Sequence, residues 1–178
     1  LLEDLPSASR PAELLSKLCV IKLNGGLGTT MGLDRAKSLI PVKDGMSFLQ
    51  IITGQILRLR ETHKVSVPLF FMNSFNTRED TLKEPGIAAL NEDLGLPADF
   101  HQNMVPRIHA DTLLPVGDGR SSSDWCPPGH GDIFPALKIT GLLDTLIEKG
   151  YRVLFISNGD NLGATVEARI LSYVLANS

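Results

Sequence analysis

An α/β fold, with a mostly parallel central sheet and flanking helices, is predicted for this chain by two observations. Short apolar runs near 19–23, 67–72 and 151–157 read as buried strands, and helical patterns separate them. Each run also ends in a polar or glycine-rich turn. Parallel sheets bind ligands beyond the carboxyl ends of their strands, so the three turns are expected to converge on one site.

Residues 1–18 read as a polar lead-in followed by a short helix from Pro11 to Leu18, with proline acceptable at a first helical position. Residues 19–178 carry the alternating strand and helix pattern. The first strand, Cys19 to Leu23, is followed by a glycine loop, a short extended piece at 38–42 and a turn at 43–46. Ser47 and Gln50 form a capping box that opens a helix in which Leu49, Ile52, Ile56 and Leu59 recur at helical spacing. Val65 to Met72 reads as the second strand, with Pro68 restricting its early part. Thr77 is expected to cap a helix running towards Leu90, weakened by Pro85 and Gly86. The proline-rich stretch 91–131 is expected to hold an extended segment near 102–108 and a mobile loop near 116–124. Ile133 to Lys149 reads as one helix, Tyr151 to Ser157 as the clearest strand, and Thr165 as the cap of a last helix.

The densest chemical signal is the run from Val20 to Gly32, which places Gly25, Gly26, Gly28 and Gly32 directly after a strand. Glycine removes the Cβ atoms that keep a ligand off the backbone, so successive N–H groups can converge on phosphate oxygens, and Lys37 offers an ammonium close by. The spacing excludes two common phosphate loops. A Walker loop needs lysine directly after its last glycine, whereas Leu33 follows Gly32. A dinucleotide loop needs a third glycine where Met31 stands.

Other function classes are excluded by composition. Net charge is -3, from 17 basic and 20 acidic residues, with no basic run, so neither nucleic acid nor a membrane surface is an expected partner. The two cysteines, Cys19 and Cys126, lack zinc spacing or a disulfide context, which fits a reducing, cytoplasmic setting. No window approaches a membrane span or a signal peptide. Because the chain starts at Leu1 and stops at Ser178 within a helical pattern, it is expected to be a fragment whose sheet lacks later strands. A homo-oligomer is left open.

Two further clusters carry candidate chemistry. Asn158-Gly159-Asp160-Asn161 puts a carboxylate just past a buried strand, where it could hold Mg²⁺ against a phosphate or simply bond its own backbone in an Asx turn. Pro127-Pro128-Gly129-His130-Gly131-Asp132 holds a histidine able to donate to a phosphate or sugar oxygen, with Asp132 a candidate helix cap. His63, His101 and His109 show no metal-ligand spacing, and no arrangement suggests a covalent nucleophile.

Leu23 to Gly32, Leu69 to Thr77, Pro128 to Asp132 and Asn158 to Ala164, in this order and spacing, resemble the eukaryotic-type UTP–glucose-1-phosphate uridylyltransferases over nearly the whole chain. The resemblance implies a Rossmann-like, glycosyltransferase-A-type nucleotidyltransferase domain, incomplete here. It further implies Mg²⁺ as cofactor and formation of UDP-glucose and pyrophosphate from UTP and glucose 1-phosphate. Matched by position, it implies nucleotide contacts at Leu23, Asn24, Gly25, Gly26, Gly28 and Thr29, and a phosphate-binding Lys37. Met72, Gln102 and Gly129 correspond to the uracil pocket, His130 and Asn158 to phosphate or sugar contacts, and Asp160 to the metal carboxylate. Two other readings remain: a UDP-N-acetylhexosamine pyrophosphorylase, which the Asn-Ser-Phe-Asn-Thr and Gly-His-Gly-Asp stretches disfavour, and a nucleotide-binding module without turnover.

Overall fold

The computed structural model describes residues 5, 7–28, 32 and 35–177. Its central sheet contains four parallel strands: β1 (Leu18–Asn24), β4 (Leu69–Asn73), β5 (Asp99–His101) and β8 (Val153–Asn158). Their spatial order is β5-β4-β1-β8, which puts β1, the strand leading into the glycine loop, in the interior between β4 and β8. Two small antiparallel pairs lie outside it: β2 (Pro41–Lys43) with β3 (Met46–Ser47), and β6 (Val105–Pro106) with β7 (Trp125–Cys126).

Strand periodicity sorts the core into two layers. Leu18 and Val20 of β1, Leu69 and Phe71 of β4, and Val153 and Phe155 of β8 face α2 (Phe48–His63), which contributes Leu49, Ile52 and Ile56. The same layer receives Leu15 from α1 (Pro11–Leu15) and Leu171 from α6 (Ala168–Ala176), and these two helices pack together. Cys19, Ile21, Phe70, Met72, Leu154 and Ile156 face the other way, onto α4 (Ile133–Ile139) and α5 (Leu142–Glu148). Burial pushes the Cys19 thiol up to about 12, so it serves as a core residue.

The capping box of α2 forms as the sequence predicts: Gln50 N–H donates to Ser47 Oγ, and Ser47 N–H to Gln50 Oε1. Other boundaries shift for identifiable reasons. Strand β4 starts at Leu69 because Pro68 has no N–H for the ladder, although its carbonyl accepts from Val20 N–H. The helix after Thr77 is short, α3 (Arg78–Lys83), and stops before Pro85. Thr77 does not cap it; Thr77 Oγ1 turns back to accept from Ser74 N–H. The single helix expected over 133–149 is two, divided at Gly141, whose φ of 75° is left-handed. The cap of α6 is Glu167, which accepts from Arg169 N–H, rather than Thr165. The stretch 116–124, expected as a mobile loop, is tied down: Asp124 is buried and accepts from Gly119 and Ser121 N–H, while the Trp125 indole donates to Gly119 O.

Candidate active site

The carboxyl ends of β1, β4 and β8 meet as expected. Asn24 is in register with Asn73, and Leu23 with Asn158, so the three turns leave the sheet side by side. After Gly26 the chain doubles back on itself. Leu27 bridges Ala36, Gly28 N–H donates to Arg35 O, and Lys37 N–H donates to Gly26 O. Ala36 is fully buried with a φ of -53°, so Lys37 leaves a pinned segment and opens a short 3₁₀ turn, Lys37–Leu39.

The Lys37 ammonium reaches across to β8's turn and donates to Asp160 Oδ2 at 2.6 Å. That hydrogen bond holds the Asp160 carboxyl below the usual carboxylate range, with the field of His130 adding in the same direction. The two side chains remain 43% and 30% exposed, so both are accessible to a ligand. They border a cavity of about 230 Å³ lined by Leu23, Asn24, Gly26, Lys37, Ser38, His130, Asn158, Gly159 and Asp160. Within the Asn-Gly-Asp-Asn turn, Asn161 Oδ1 makes an Asx turn, accepting from Gly163 and Ala164 N–H, while the Asp160 carboxylate accepts from Lys37.

His130 of the Gly-His-Gly-Asp loop lines this cavity, and Gln102 packs against Gly25 of the glycine loop. A Cβ on Gly25 would sit 2.5 Å from Gln102 Oε1, so the buried Gln102 amide rests directly on the loop backbone. Asp132 does not cap α4; its carboxylate accepts from Asn103 N–H and the Asn103 side-chain amide, joining the segment after Gln102 to the loop that carries Gly129 and His130.

Three of the residues expected to contact the nucleotide are buried or already hydrogen-bonded in this structure. Met72 is fully buried in the α4–α5 layer. Asn24 is 4% exposed, and its side-chain amide is spent on Asn73 and Thr81 behind the cavity that the residue borders. The Gly28 N–H is already committed to Arg35 O. Thr29 lies outside the described residues.

Behind the glycine loop runs a buried polar network that sequence reading missed. The Asn24 amide donates to Asn73 Oδ1 (2.7 Å) and Thr81 Oγ1 (2.9 Å). Asn73 in turn donates to Asp99 Oδ2, which also holds Arg78 Nε at 2.8 Å, and Ser74 Oγ donates to Gly25 O. Paired asparagines ending two neighbouring strands are its only sequence signal. Asn73→Ala removes the hub and leaves buried donors and acceptors unpaired, at an expected cost of about 1–3 kcal/mol. Urea unfolding of the variant checks this; an unchanged midpoint would show that the network adds nothing to stability.

Magnesium suits this donor set. Among the described residues no three His, Cys, Asp or Glu side chains gather around one point. Magnesium, however, commonly takes one or two carboxylates and completes its shell with substrate phosphates and water, which Asp160 at the cavity rim can accommodate. Ser38 Oγ, buried beside Lys37 without a hydrogen-bond partner among the described residues, adds an unspent polar group. No helix among the described residues is long and apolar enough to cross a membrane.

Known proteins share this sequence and shape. The UTP–glucose-1-phosphate uridylyltransferase from Solanum tuberosum is 46% identical over 177 residues, covering 97% of this chain and 37% of its own length. The Saccharomyces cerevisiae protein of the same name is 47% identical, covering 90% of this chain and 32% of its own. A variant UDP-glucose pyrophosphorylase from Leishmania major, solved in complex with UDP-glucose, superposes with a TM-score of 0.85 at 43% identity over 98% of this chain and 37% of that one. The Trypanosoma brucei protein gives 0.86 at 41% identity, over 99% of this chain and 38% of its own. The chain thus spans about a third of the length of these relatives. Since the family model for UTP–glucose-1-phosphate uridylyltransferase matches residues 2–178, this chain belongs to that family.

Proposed function

We propose that the protein carrying this chain forms UDP-glucose and pyrophosphate from UTP and glucose 1-phosphate, and that this chain supplies its nucleotide-binding part. The observation that carries the reading is the Lys37–Asp160 pair, 2.6 Å apart beside a cavity that Gly26 of the glycine loop also lines. A cation and an anion held side by side beside open backbone suit a phosphate chain and its metal. Family membership and the UDP-glucose complex of the Leishmania major relative support the nucleotide sugar as product.

The reaction is an in-line displacement in which a phosphate oxygen of glucose 1-phosphate attacks the α-phosphorus of UTP and pyrophosphate leaves. The attacking oxygen is already anionic, so no general base is needed, and catalysis consists of alignment and charge neutralisation. In the free protein Lys37 and Asp160 satisfy each other. With substrate present, the Lys37 ammonium would turn to a phosphate oxygen, and Asp160 would be the residue that holds the cation. Magnesium, when bound, would offset phosphate charge. In this reading Asn158 and His130, which both line the cavity, orient phosphate or sugar oxygens, and the Gln102 amide beside Gly25 reads the base.

Pyrophosphate release by the complete protein tests this, with UTP and either glucose 1-phosphate or N-acetylglucosamine 1-phosphate, in Mg²⁺ or EDTA. Metal-dependent release with glucose 1-phosphate is expected. Release only with the N-acetyl sugar would reassign the substrate, and UTP binding without release from either sugar would make the protein a non-catalytic module.

A further inference from the structure

Inside β1, in the layer formed by Val20, Ile52 and Phe155, stands a lysine. Lys22 is 1% exposed, and burial pushes its pKa down. It lies beside an apolar cavity of about 230 Å³ bordered by Val20, Ile52 and Phe155, with the Phe155 ring centroid 5.9 Å from Nζ. A methionine of similar length would fill this space without the cost of desolvating a charge. What the lysine adds is two hydrogen bonds. Its ammonium donates to Ser157 Oγ at 2.7 Å and to Ala164 O at 3.1 Å. Ser157 is its register partner on β8 and directly precedes Asn158, while Ala164 directly follows Gly163. The two acceptors therefore bracket residues 158–163, the turn that carries Asn158 and Asp160. The turn is otherwise tied to the sheet by Gly159 N–H to Leu23 O, and to α2 by Gln55 Nε2 to Leu162 O.

We propose that Lys22 is a positioning residue for the uridylyltransferase reaction: one buried ammonium clamps both ends of the 158–163 turn to β1 and so sets where Asp160 and Asn158 stand against Lys37. Lys22 does not line the active-site cavity that Lys37 and Asp160 border; it acts through the turn. The inference rests on the functional reading above and deepens it. Residues that orient a metal carboxylate typically change metal affinity or activity by about 10–100-fold when replaced.

The test uses Lys22→Met, Ser157→Ala and the double variant in the complete protein. Three quantities are read: kcat as a function of Mg²⁺ concentration, the Kd of UTP by calorimetry in Mg²⁺ and in EDTA, and Tm. Expected for Lys22→Met is a kcat lower by about 10–100-fold at low Mg²⁺, partly restored by raised Mg²⁺. The tightening of UTP by Mg²⁺ should shrink while the Kd in EDTA stays the same. Ser157→Ala should shift the same quantities less, and the double variant should be no worse than Lys22→Met, because both act through one contact. A Lys22→Met protein with unaltered kcat and Mg²⁺ dependence, whatever its Tm, overturns the proposal. Should Lys22→Met fail to fold, Ser157→Ala decides, and its unaltered Mg²⁺ dependence overturns the proposal equally. Silence from the unsubstituted protein would sink the uridylyltransferase reading itself, whereas an active parent with unaffected variants sinks only the role of Lys22.

Discussion

Asp160→Asn is expected to lower kcat for UDP-glucose formation by on the order of 10²–10³-fold while leaving the fold intact. Asparagine keeps the shape of the side chain and can still accept from Lys37, so what disappears is the negative charge that the cation needs. The fold should tolerate this, since the Lys37–Asp160 pair is part-exposed and such pairs contribute at most about 1 kcal/mol. Lys37→Met should produce a loss of similar size by the opposite route, removing positive charge from the phosphates while sparing the carboxylate. The two variants should differ in their response to metal: excess Mg²⁺ partly rescues Asp160→Asn and does nothing for Lys37→Met. Steady-state rates across a Mg²⁺ series read both effects, and a wild-type rate for Asp160→Asn in Mg²⁺ would refute the metal assignment.

Gly25→Ala is expected to have the next largest effect, and to act on nucleotide binding. A methyl group there meets Gln102 Oε1 at 2.5 Å, Nε2 at 2.9 Å and Cδ at 3.0 Å, all closer than van der Waals contact allows. Either the buried amide swings away or the loop backbone lifts; both displace a group assigned to the nucleotide. Misplacement by about 1 Å can cost about 10²-fold in rate. The expected pattern is a raised KM for UTP with KM for glucose 1-phosphate less affected. Combining Gly25→Ala with Gln102→Ala relieves the crowding, so the double variant should resemble Gln102→Ala alone. If it is instead far worse, the glycine is needed for its own backbone contact with the nucleotide rather than to admit Gln102.

The parts of the fold that sequence reading locates are those with strong local causes. The apolar runs of β1, β4 and β8 and the Ser47–Gln50 box of α2 need only neighbouring residues to specify them. Boundaries that slipped depend on what a residue meets in space. Thr77 has the chemistry of a cap but turns its hydroxyl to Ser74, and Asp132 spends its carboxylate on Asn103. Asp124 gathers the stretch 116–124 that its serines and glycines suggest would be loose.

By itself, the sequence determined that strands alternate with helices, that a glycine loop follows the first strand, and which motifs place the chain in its family. It also singled out Lys37 and Asp160 as separate candidates 123 residues apart. Only the tertiary structure decided that these two meet at 2.6 Å, that Asn24 and Met72 turn into the core, and that Lys22 grips both ends of the Asp160 turn. The physical reason is the parallel sheet: hydrogen bonding in register brings together strand ends that are remote along the chain. The alternation of each strand then decides which side chains face the ligand and which hold the site from behind.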